Sequence, residues 1–488
     1  MSTQVVWLTT TKGKKMLKDQ FDYRYHFAKK NDTKSWWYCV QRKSTIKCQA
    51  QAIVVDDIII HRDDHDHPNH ANMIMAKNVE NKHVKRAGQS VDLPPRSVLR
   101  DITHELNAAN ALGSMTKKES LSRRIRREKA KVLERPPEPT NYDPFFKMPD
   151  RYSKTADGQQ FLQAVKWIDG QDSKALLLFI SEHGKEVLRT STTWTMDGTF
   201  ATCPELFYQI YFIFGRTPSG KTIPAAYSLL PNKRCYNVLF SELKNTIGGN
   251  SDHLEKIMVD FEKGVHREIR EHFPTANIAG CLFHFRQCLR RKMGEKGCIP
   301  LYNSDEHFQQ WVTMLHCLPL VPQHEVIHIF DTQVKDFFDQ HFEDWTEQGF
   351  EDEITNYYQY FERTYIGQLT RTGRRSPMFE INIWNHHDRI IHNDFMMTNN
   401  GLESYNSSWT PTIPKNASVW TVIESFNKED SMAKVTRLED LRGVHQAHNR
   451  TRQLNCAVRK EELKNICENW SHMEPEQYLE MLANFYKI

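Results

Sequence analysis

The sequence predicts a mixed α/β protein in which a small β-rich module precedes a larger domain of strands and helices. Two observations indicate the larger domain: apolar and aromatic runs of strand length follow one another over residues 190–230, and helical and strand-like segments then alternate over residues 237–293. A third observation, the short alternating aromatic stretches over residues 8–72, indicates the small module. The length of 488 residues corresponds to about two to four domains of ordinary size.

The composition is that of a soluble globular protein, with 39% hydrophobic and 26% charged residues. No apolar run reaches the roughly 20 residues that a membrane span needs, and residues 1–15 lack the apolar core of a signal peptide. We therefore expect an intracellular protein with no membrane contact. The net charge of +4 is too small to indicate a partner, so local clusters of charge are the informative feature. Ten cysteines in an intracellular chain favour thiols and metal ligands over disulfides.

Residues 8–72 contain a candidate metal site. Two cysteines and two histidines follow a Cys-x8-Cys-x16-His-x-His spacing: Cys39, Cys48, His65 and His67. Two thiolates and two imidazoles are the tetrahedral set that Zn²⁺ prefers. A module with so small a hydrophobic core needs a bound metal to stabilise its fold. The spacing alone also allows two buried cysteines beside a solvated histidine-rich tail, and His61 and His70 are alternative ligands.

Residues 73–150 differ in composition and are predicted to form a basic helical linker. Proline pairs bracket good helix formers over residues 97–133. The second half of this helical segment carries four clustered arginines: Arg123, Arg124, Arg126 and Arg127. Such a stripe is often only the solvated face of a helix. Next to a metal-binding module we favour contact with DNA phosphates, weakening as salt rises, and a nuclear import signal would have the same composition.

The first part of the larger domain, residues 151–298, is predicted from the order of its elements. Three strands form a meander, and a helix, a strand, a helix, a strand and a helix follow. This order is that of a ribonuclease-H-like fold, in which the first and fourth strands are neighbours. Asp197 in the first strand and Asp260 at the end of the fourth would then face each other at the distance that two bridging metal ions need. Taken alone, Asp197 could equally lie in a surface turn at a strand end.

Phosphoryl transfer at such a pair needs a third acid from further along the chain. The candidates are Glu262, Asp388, Asp394, Glu403 and Glu424. Glu403 stands at the start of a predicted helix, because Gly401 and its asparagine neighbours break structure just before it. A helix that begins there could tilt its glutamate onto the end of the sheet. Periodicity does not choose among the five acids.

Residues 299–394 are predicted to form an all-α insertion, because their apolar and aromatic residues recur at helical spacing and are mostly core. Within it, three arginines around a glycine are typical of a loop that follows a DNA backbone: Arg371, Arg374 and Arg375. The core is expected to end over residues 395–414. Residues 415–488 are predicted as two or three helices that pack on the domain or on another subunit, so a homodimer is one expectation.

The module at residues 8–70 resembles a FLYWCH-type zinc finger. The shared features are the Lys12–Lys14 opening, the aromatic strand around Tyr25, the strand that ends at Cys39 and the His-x-His-Pro ending at Pro68. The resemblance implies a zinc-bound β module that binds DNA or protein. Ala28 and Lys29 follow Phe27 in place of the name motif, whereas the ligand positions are intact.

The larger domain resembles, over residues 190–410, the catalytic domain of Mutator-like element (MULE) transposases. The shared motifs lie at residues 197–200, 259–264, 281–284 and 398–404. The resemblance implies metal-dependent cleavage of double-stranded DNA at the terminal repeats of an element and strand transfer into target DNA. It implies Mg²⁺ or Mn²⁺ ions held by Asp197, Asp260 and Glu403, and action in the nucleus.

The resemblance also implies a role beside the active site for Cys281 and His284, with His284 contacting a phosphate or the flipped strand end. As a bare Cys-x-x-His, the pair could instead be a core contact or half of a zinc site. Met397 and the pair Tyr405–Asn406 replace an arginine and an aromatic-histidine pair that are common in the family. Two other functions are alternatives. One is a host-adopted DNA-binding transcriptional regulator with an inactive transposase domain, against which the intact acids argue. The other is a structure-specific nuclease on the same fold, which the motifs at residues 281–284 and 398–404 disfavour.

Overall fold

The computed structural model describes residues 3–9, 15–89, 93, 95–132, 136–139, 147–168, 175–249, 251–443 and 450–486. The chain divides into two compact units, Met1–Pro137 and Glu138–Ile488. Within the described ranges, we find no helix whose length and apolar character would suit a membrane span.

The first unit opens with a seven-stranded antiparallel sheet that forms a half-barrel. Its strands are β1 (Thr3–Gln4), β2 (Val6–Thr9), β3 (Lys15–Lys18), β4 (Arg24–Lys30), β5 (Ser35–Cys39), β6 (Gln51–Val55) and β7 (Ile58–Arg62). They are ordered β1-β7-β6-β5-β4-β3-β2. The core inside the sheet is small and is built around Leu17, Tyr25, Trp37 and Val54. The strands predicted from the aromatic alternation correspond to β4, β5 and the β6–β7 pair.

Three helices complete the first unit: α1 (Ala71–Gln89), α2 (Pro95–Ala108) and α3 (Lys118–Val132). Val79, Ile102 and Ile125, one from each helix, share one buried apolar cluster. The helical segment predicted over residues 97–133 is therefore two helices, since the chain turns between Ala108 and Lys118. The predicted linker is a packed three-helix layer in its described part, because α1 supplies a third apolar face to the cluster.

The second unit is built on a seven-stranded mixed sheet. Its strands are β8 (Leu162–Trp167), β9 (Ala175–Phe179), β10 (Thr193–Thr199), β11 (Gln209–Arg216), β12 (Thr222–Leu230), β13 (Lys256–Val259) and β14 (Asn277–Gly280). The order β14-β13-β10-β11-β12-β9-β8 confirms the predicted meander of β10, β11 and β12. It also confirms that β10 and β13, the first and fourth predicted strands, are neighbours, and they pair in parallel. β8 and β9 extend the edge of the sheet beyond β12.

The helices of the second unit are numbered here in chain order. They are α4 (Asp150–Ser153), α5 (Glu182–Thr190), α6 (Tyr236–Thr246), α7 (Lys263–His272), α8 (Leu282–Glu295), α9 (Ile299–Ser304), α10 (Glu306–Cys317), α11 (Val326–Ile329), α12 (Lys335–Glu347), α13 (Glu351–Phe361), α14 (Ile381–Trp384), α15 (His387–Ile391), α16 (Asn400–Trp409), α17 (Val419–Leu441), α18 (Arg450–Glu468) and α19 (Pro475–Tyr486). The insertion predicted as all-α also contains a short hairpin of β15 (Leu369–Thr370) and β16 (Gly373–Arg374).

Helices cover both faces of the large sheet. Because side chains alternate along a strand, Trp194 and Met196 of β10 enter the core formed with α5, α6 and α7. On the opposite face, Phe212 packs against Trp409 of α16 and Phe426 of α17. The C-terminal helices α18 and α19 pack on the insertion, where their apolar residues join the core of α10 to α13. The third acid of the predicted site is thus carried on a helix that lies against the sheet.

Candidate metal and active sites

The four predicted zinc donors of the first unit lie together. Cys39 Sγ is 3.2 Å from His67 Nε2, and Cys48 Sγ is 3.5 Å from His65 Nδ1. The two histidine nitrogens are 3.2 Å apart. A tetrahedral zinc ion with bonds of about 2.0–2.3 Å holds its donors roughly 3.3–3.8 Å apart, so the set would fit Zn²⁺ after shifts of a few tenths of an ångström. The alternative ligand His61 bonds to Asp63 instead.

The finger donors are held in place by further hydrogen bonds. His65 Nε2 lies 2.8 Å from the hydroxyl of Tyr25, which in turn donates to Asp19 Oδ2 at 2.9 Å. His67 Nδ1 lies 2.7 Å from the carbonyl oxygen of Pro68. These bonds orient both rings and leave His65 Nδ1 and His67 Nε2 directed at the cysteines. Burial lowers the pKa of His65 to about 4, so the ring is neutral and able to bind a metal at physiological pH.

The candidate catalytic residues of the second unit lie in one row across three parallel strands. β10 pairs with β13 so that Thr195 lies opposite Met258, 63 residues further on. The same 63 residues separate Asp197 from Asp260. β13 pairs with β14 at a step of 21 residues, and Cys281 follows Asp260 by the same step. Continuing the register therefore brings Asp197, Asp260 and Cys281 side by side at the carboxyl ends of their strands.

Helix α16 lies across this row. Asn406 Nδ2 donates to Asp197 Oδ2 at 3.2 Å, and Cys281 Sγ donates to Glu403 Oε1 at 3.6 Å. Glu403 and Asn406 are three residues apart, so they lie on one side of the helix. Gly401 allows the close approach to β12, because a Cβ atom there would come within 3.0 Å of the Thr222 side chain. The helix start predicted before Glu403 is confirmed, and the helix tilts its first turn onto the sheet end.

The other candidates for the third acid have different surroundings. Three of them pair elsewhere: Asp388 with His387, Asp394 with Lys256, and Glu424 with Arg151. Glu262 remains beside Asp260, but it precedes α7 and accepts a hydrogen bond from the Tyr236 hydroxyl at 2.9 Å. Of the five acids, only Glu403 both lies opposite the row and raises the pKa of Asp197 by its charge.

The three candidate acids Asp197, Asp260 and Glu403 are called the acid row, and the charges of the other two disfavour ionisation of Asp197. Burial raises the pKa of Asp197 to about 7, and the nearby charges of Asp260 and Glu403 raise it as well. Burial and the charge of Glu262 raise the pKa of Asp260 to about 6. Among the described residues, no lysine or arginine forms an ion pair with Asp197 or Asp260. Buried neighbouring carboxylates of this kind favour binding of a cation, and an oxygen-only pair suits Mg²⁺ or Mn²⁺.

Two residues of the site were missed or left aside by the sequence reasoning. Asn406 was noted only as a departure from the family pattern, although it lies three residues after Glu403 and so had to share its helix face. Its Nδ2 holds Asp197, while its Oδ1 is buried without a hydrogen-bond partner among the described residues. Glu262 lies close enough to Asp260 to raise the pKa of that acid. Spacing alone could not reveal either contact.

The predicted DNA-contacting arginines fall into two groups. Those with exposed side chains are Arg123, Arg126, Arg127, Arg371 and Arg375. The other two form ion pairs inside the protein, which corrects the expectation that their charges are available to phosphates. Arg124 pairs with the fully buried carboxylate of Glu80 at 3.3 Å. Arg374 lies on β16, not in an open loop, and pairs with Glu362 at 3.2 Å and with Asp331.

Comparison with known families matches both sites. Residues 7–67 match the model of the FLYWCH zinc finger domain, and residues 193–288 match the model of the MULE transposase domain. The chain carries a FLYWCH zinc finger and a MULE transposase domain. No curated protein matches the chain.

The two matches cover different parts of the candidate sites. The FLYWCH match spans all four zinc donors, and with their geometry it identifies Zn²⁺ as the fitting metal. The MULE match spans Asp197, Asp260, Cys281 and His284, while Glu403 lies beyond its end. The two domains make the chain a transposase-related, DNA-binding protein.

Proposed function

We propose that the chain is a DNA transposase that cleaves DNA at the ends of an element and transfers the freed 3′ hydroxyl to target DNA. Asp197, Asp260 and Glu403 would hold Mg²⁺ or Mn²⁺. The observation that carries the proposal is the shared register of Asp197 and Asp260 under a helix that presents Glu403 and Asn406. The strand order, with β10 beside β13, supports a ribonuclease-H-like fold for this unit.

Each residue of the row has a defined part in this proposal. Divalent ions, when bound, would activate the attacking oxygen and stabilise the leaving oxygen of an in-line displacement. Asp197 is held through both oxygens, one by the Gly198 amide at 2.8 Å and one by Asn406, so its carboxylate is oriented before any ligand arrives. The raised pKa values of Asp197 and Asp260 mean that both acids release their protons most readily when a cation is present.

The exposed arginines would supply contacts to DNA phosphates. Arg123, Arg126 and Arg127 lie on α3 of the first unit. In the second unit, Arg371 lies in the turn between β15 and β16, and Arg375 follows β16. Replacing Arg371 with alanine should weaken DNA binding equally across sequences. It should also reduce the slope of log affinity against log salt concentration by about one. Arg374→Ala is the matched control and should mainly lower stability. The nuclear location and the homodimer stay predictions.

Cleavage and strand transfer with an element-end substrate test the proposal. Wild-type protein should cut and join DNA in Mg²⁺ or Mn²⁺ but not in Ca²⁺, whereas Asp260→Asn should bind DNA normally and do neither. Glu424→Gln serves as a control, because Glu424 is an acid that pairs with Arg151 away from the row. Normal DNA binding without cleavage by the wild-type protein would refute the enzyme and favour the host-adopted regulator.

A further inference from the structure

A second mixed cluster of metal-binding side chains lies at the end of the acid row. Cys281, His284 and Glu403 each offer one donor atom, and these atoms all lie within 4.8 Å of one another. The FLYWCH finger has the only other such cluster within the described part of the chain. The proposed cleavage chemistry uses Glu403 but gives no metal-binding part to the thiol or the imidazole.

The backbone explains why these three side chains meet. Cys281 immediately follows β14 and caps α8, and His284 lies in the first turn of that helix, so a Cys-x-x-His spacing places both at one helix start. Glu403 arrives in the first turn of α16. Its Oε1 atom is 3.6 Å from Cys281 Sγ, which is close to the roughly 3.5 Å that a tetrahedral zinc ion imposes between a sulfur and an oxygen ligand.

The surroundings of the donors resemble those of the finger ligands. The backbone N–H of Asn399 donates to Cys281 Sγ at 3.3 Å, and in the finger the N–H of Gln41 donates to Cys39 Sγ at the same distance. His284 Nδ1 is buried and has no hydrogen-bond partner within the described ranges. A buried ring nitrogen without a partner is costly, and a bound ion or a proton shared within the cluster would remove that cost.

We propose that Cys281, His284 and Glu403 bind one Zn²⁺-class ion in addition to the finger zinc. A thiolate and an imidazole select zinc over Mg²⁺, which prefers oxygen ligands. Three protein ligands leave a fourth position of the tetrahedron open. The site is distinct from the Asp197–Asp260 pair, and its only residue in common with the proposed Mg²⁺ or Mn²⁺ site is Glu403.

Such an ion would act as a positioning element. It would tie the start of α8 to the start of α16, two segments more than 100 residues apart in the chain. Because α16 also carries Asn406, the ion would set how Glu403 and Asn406 meet Asp197. The ion would therefore stabilise the second unit and hold the third acid against the sheet.

Zinc content of the full-length protein tests the site directly. Mass spectrometry after gel filtration should find about two zinc ions per chain in the wild type and about one in Cys281→Ser. Cys288→Ser is the matched control: this half-buried cysteine lies further along α8, outside the cluster, and its replacement should leave the content at about two. In the cadmium-loaded protein, Cys281→Ser should remove one of two ¹¹³Cd resonances and Cys39→Ser the other.

The outcome is independent of DNA cleavage. A wild-type content of about one zinc, or equal contents in wild type and Cys281→Ser, overturns the second site. If Cys281→Ser does not fold, His284→Gln and Glu403→Gln are measured in its place, and each should weaken retention of the second ion at least about 10-fold in a chelator competition. Retention equal to that of the wild type in both would also overturn the inference. Cleavage without a second zinc would refute only this site, and two zinc ions without cleavage only the proposed enzyme.

Discussion

The zinc site of the finger and the acid row of the second unit are completed in opposite ways. The finger donors lie at the end of β5, just before β6 and just after β7 of one small sheet, and the protein supplies a hydrogen bond to each histidine. The acid row draws Asp197, Asp260 and Glu403 from distant parts of the chain, and no ion pair within the described ranges offsets the charge of the two aspartates. The difference teaches that a zinc ion would serve the folding of the small module, whereas the metal ions proposed for the second unit would serve a reaction, since large apolar cores already hold that unit together.

The largest effect is expected on removing the finger metal. Cys39→Ser should unfold the half-barrel, because zinc contributes on the order of 10 kcal/mol to a module of this size, as much as the whole stability of an ordinary domain. The second unit should keep its own transition. Limited proteolysis with mass spectrometry checks this, with Cys203→Ser, a half-buried cysteine of the second unit, as the control. Unchanged protection of residues 15–62 would contradict the distinction between the two sites.

Replacing an acid of the row should have the opposite effect: cleavage should be lost while the second unit stays folded. Asp197→Asn should lower cleavage at least about 100-fold, since metal-assisted charge stabilisation amounts to several kcal/mol. Above about pH 7, where Asp197 is ionised, it should raise, not lower, the melting temperature without added divalent ions, because one buried like charge is gone. Glu205→Gln, an exposed acid shortly after β10, should change neither quantity. If the melting temperature fell as far as it does for Cys39→Ser, the acid row would be needed for folding and not for cleavage alone.

The acid row should also make the second unit pH-sensitive. The folded-state pKa values of Asp197 and Asp260, about 7 and about 6, exceed the usual value near 3.9, so the folded state binds more protons than the unfolded one between these limits. Their contribution is thus fully present below about pH 4 and is lost as the pH rises through about 7, by about 3–4 kcal/mol for each acid.

Calorimetry from pH 4 to pH 8 without added divalent ions measures this loss. Mg²⁺ should restore more stability at pH 8 than at pH 5, because the acids must be ionised to bind it. Asp197→Asn should flatten the profile. A wild-type profile that is equally flat would show that the acids are not held in repulsion.

The smallest effects should come from the residues that orient each site. Tyr25→Phe removes the hydroxyl beside His65 and should weaken zinc binding about 10–100-fold, while Asn406→Ala should lower Mg²⁺-dependent cleavage by a similar factor. Chelator competition and cleavage rates measure the two changes. Tyr38→Phe, on the neighbouring strand β5, and Ser407→Ala, on the same helix as Asn406, are the matched controls. If either variant moved the readout of the other site, the two sites would not be independent.

Features that depend on neighbouring residues were predicted well from the sequence, whereas features that depend on contacts between distant parts of the chain were not. Alternation indicated most of the half-barrel, and the apolar runs indicated the meander and the neighbouring β13, because strand and helix periods are local. The sequence did not predict the bounds of the edge strands β8 and β9 or of the helix α1, since the burial of these elements depends on partners elsewhere in the chain. The arginines show the same limit: Arg124 pairs with Glu80 and Arg374 with Glu362, contacts that clustering of charge does not report.

By itself, the sequence identified four candidate zinc donors and two candidate acids, since a short spacing and the ends of two predicted strands are local signals. It left His61 and His70 as alternative ligands. Only the tertiary structure decided that Glu403 and Asn406 face Asp197, and that Cys281 continues the same row. The reason is that a parallel register and the tilt of α16 are set by packing on both faces of the sheet. Those contacts join residues whose separation along the chain carries no periodic signal.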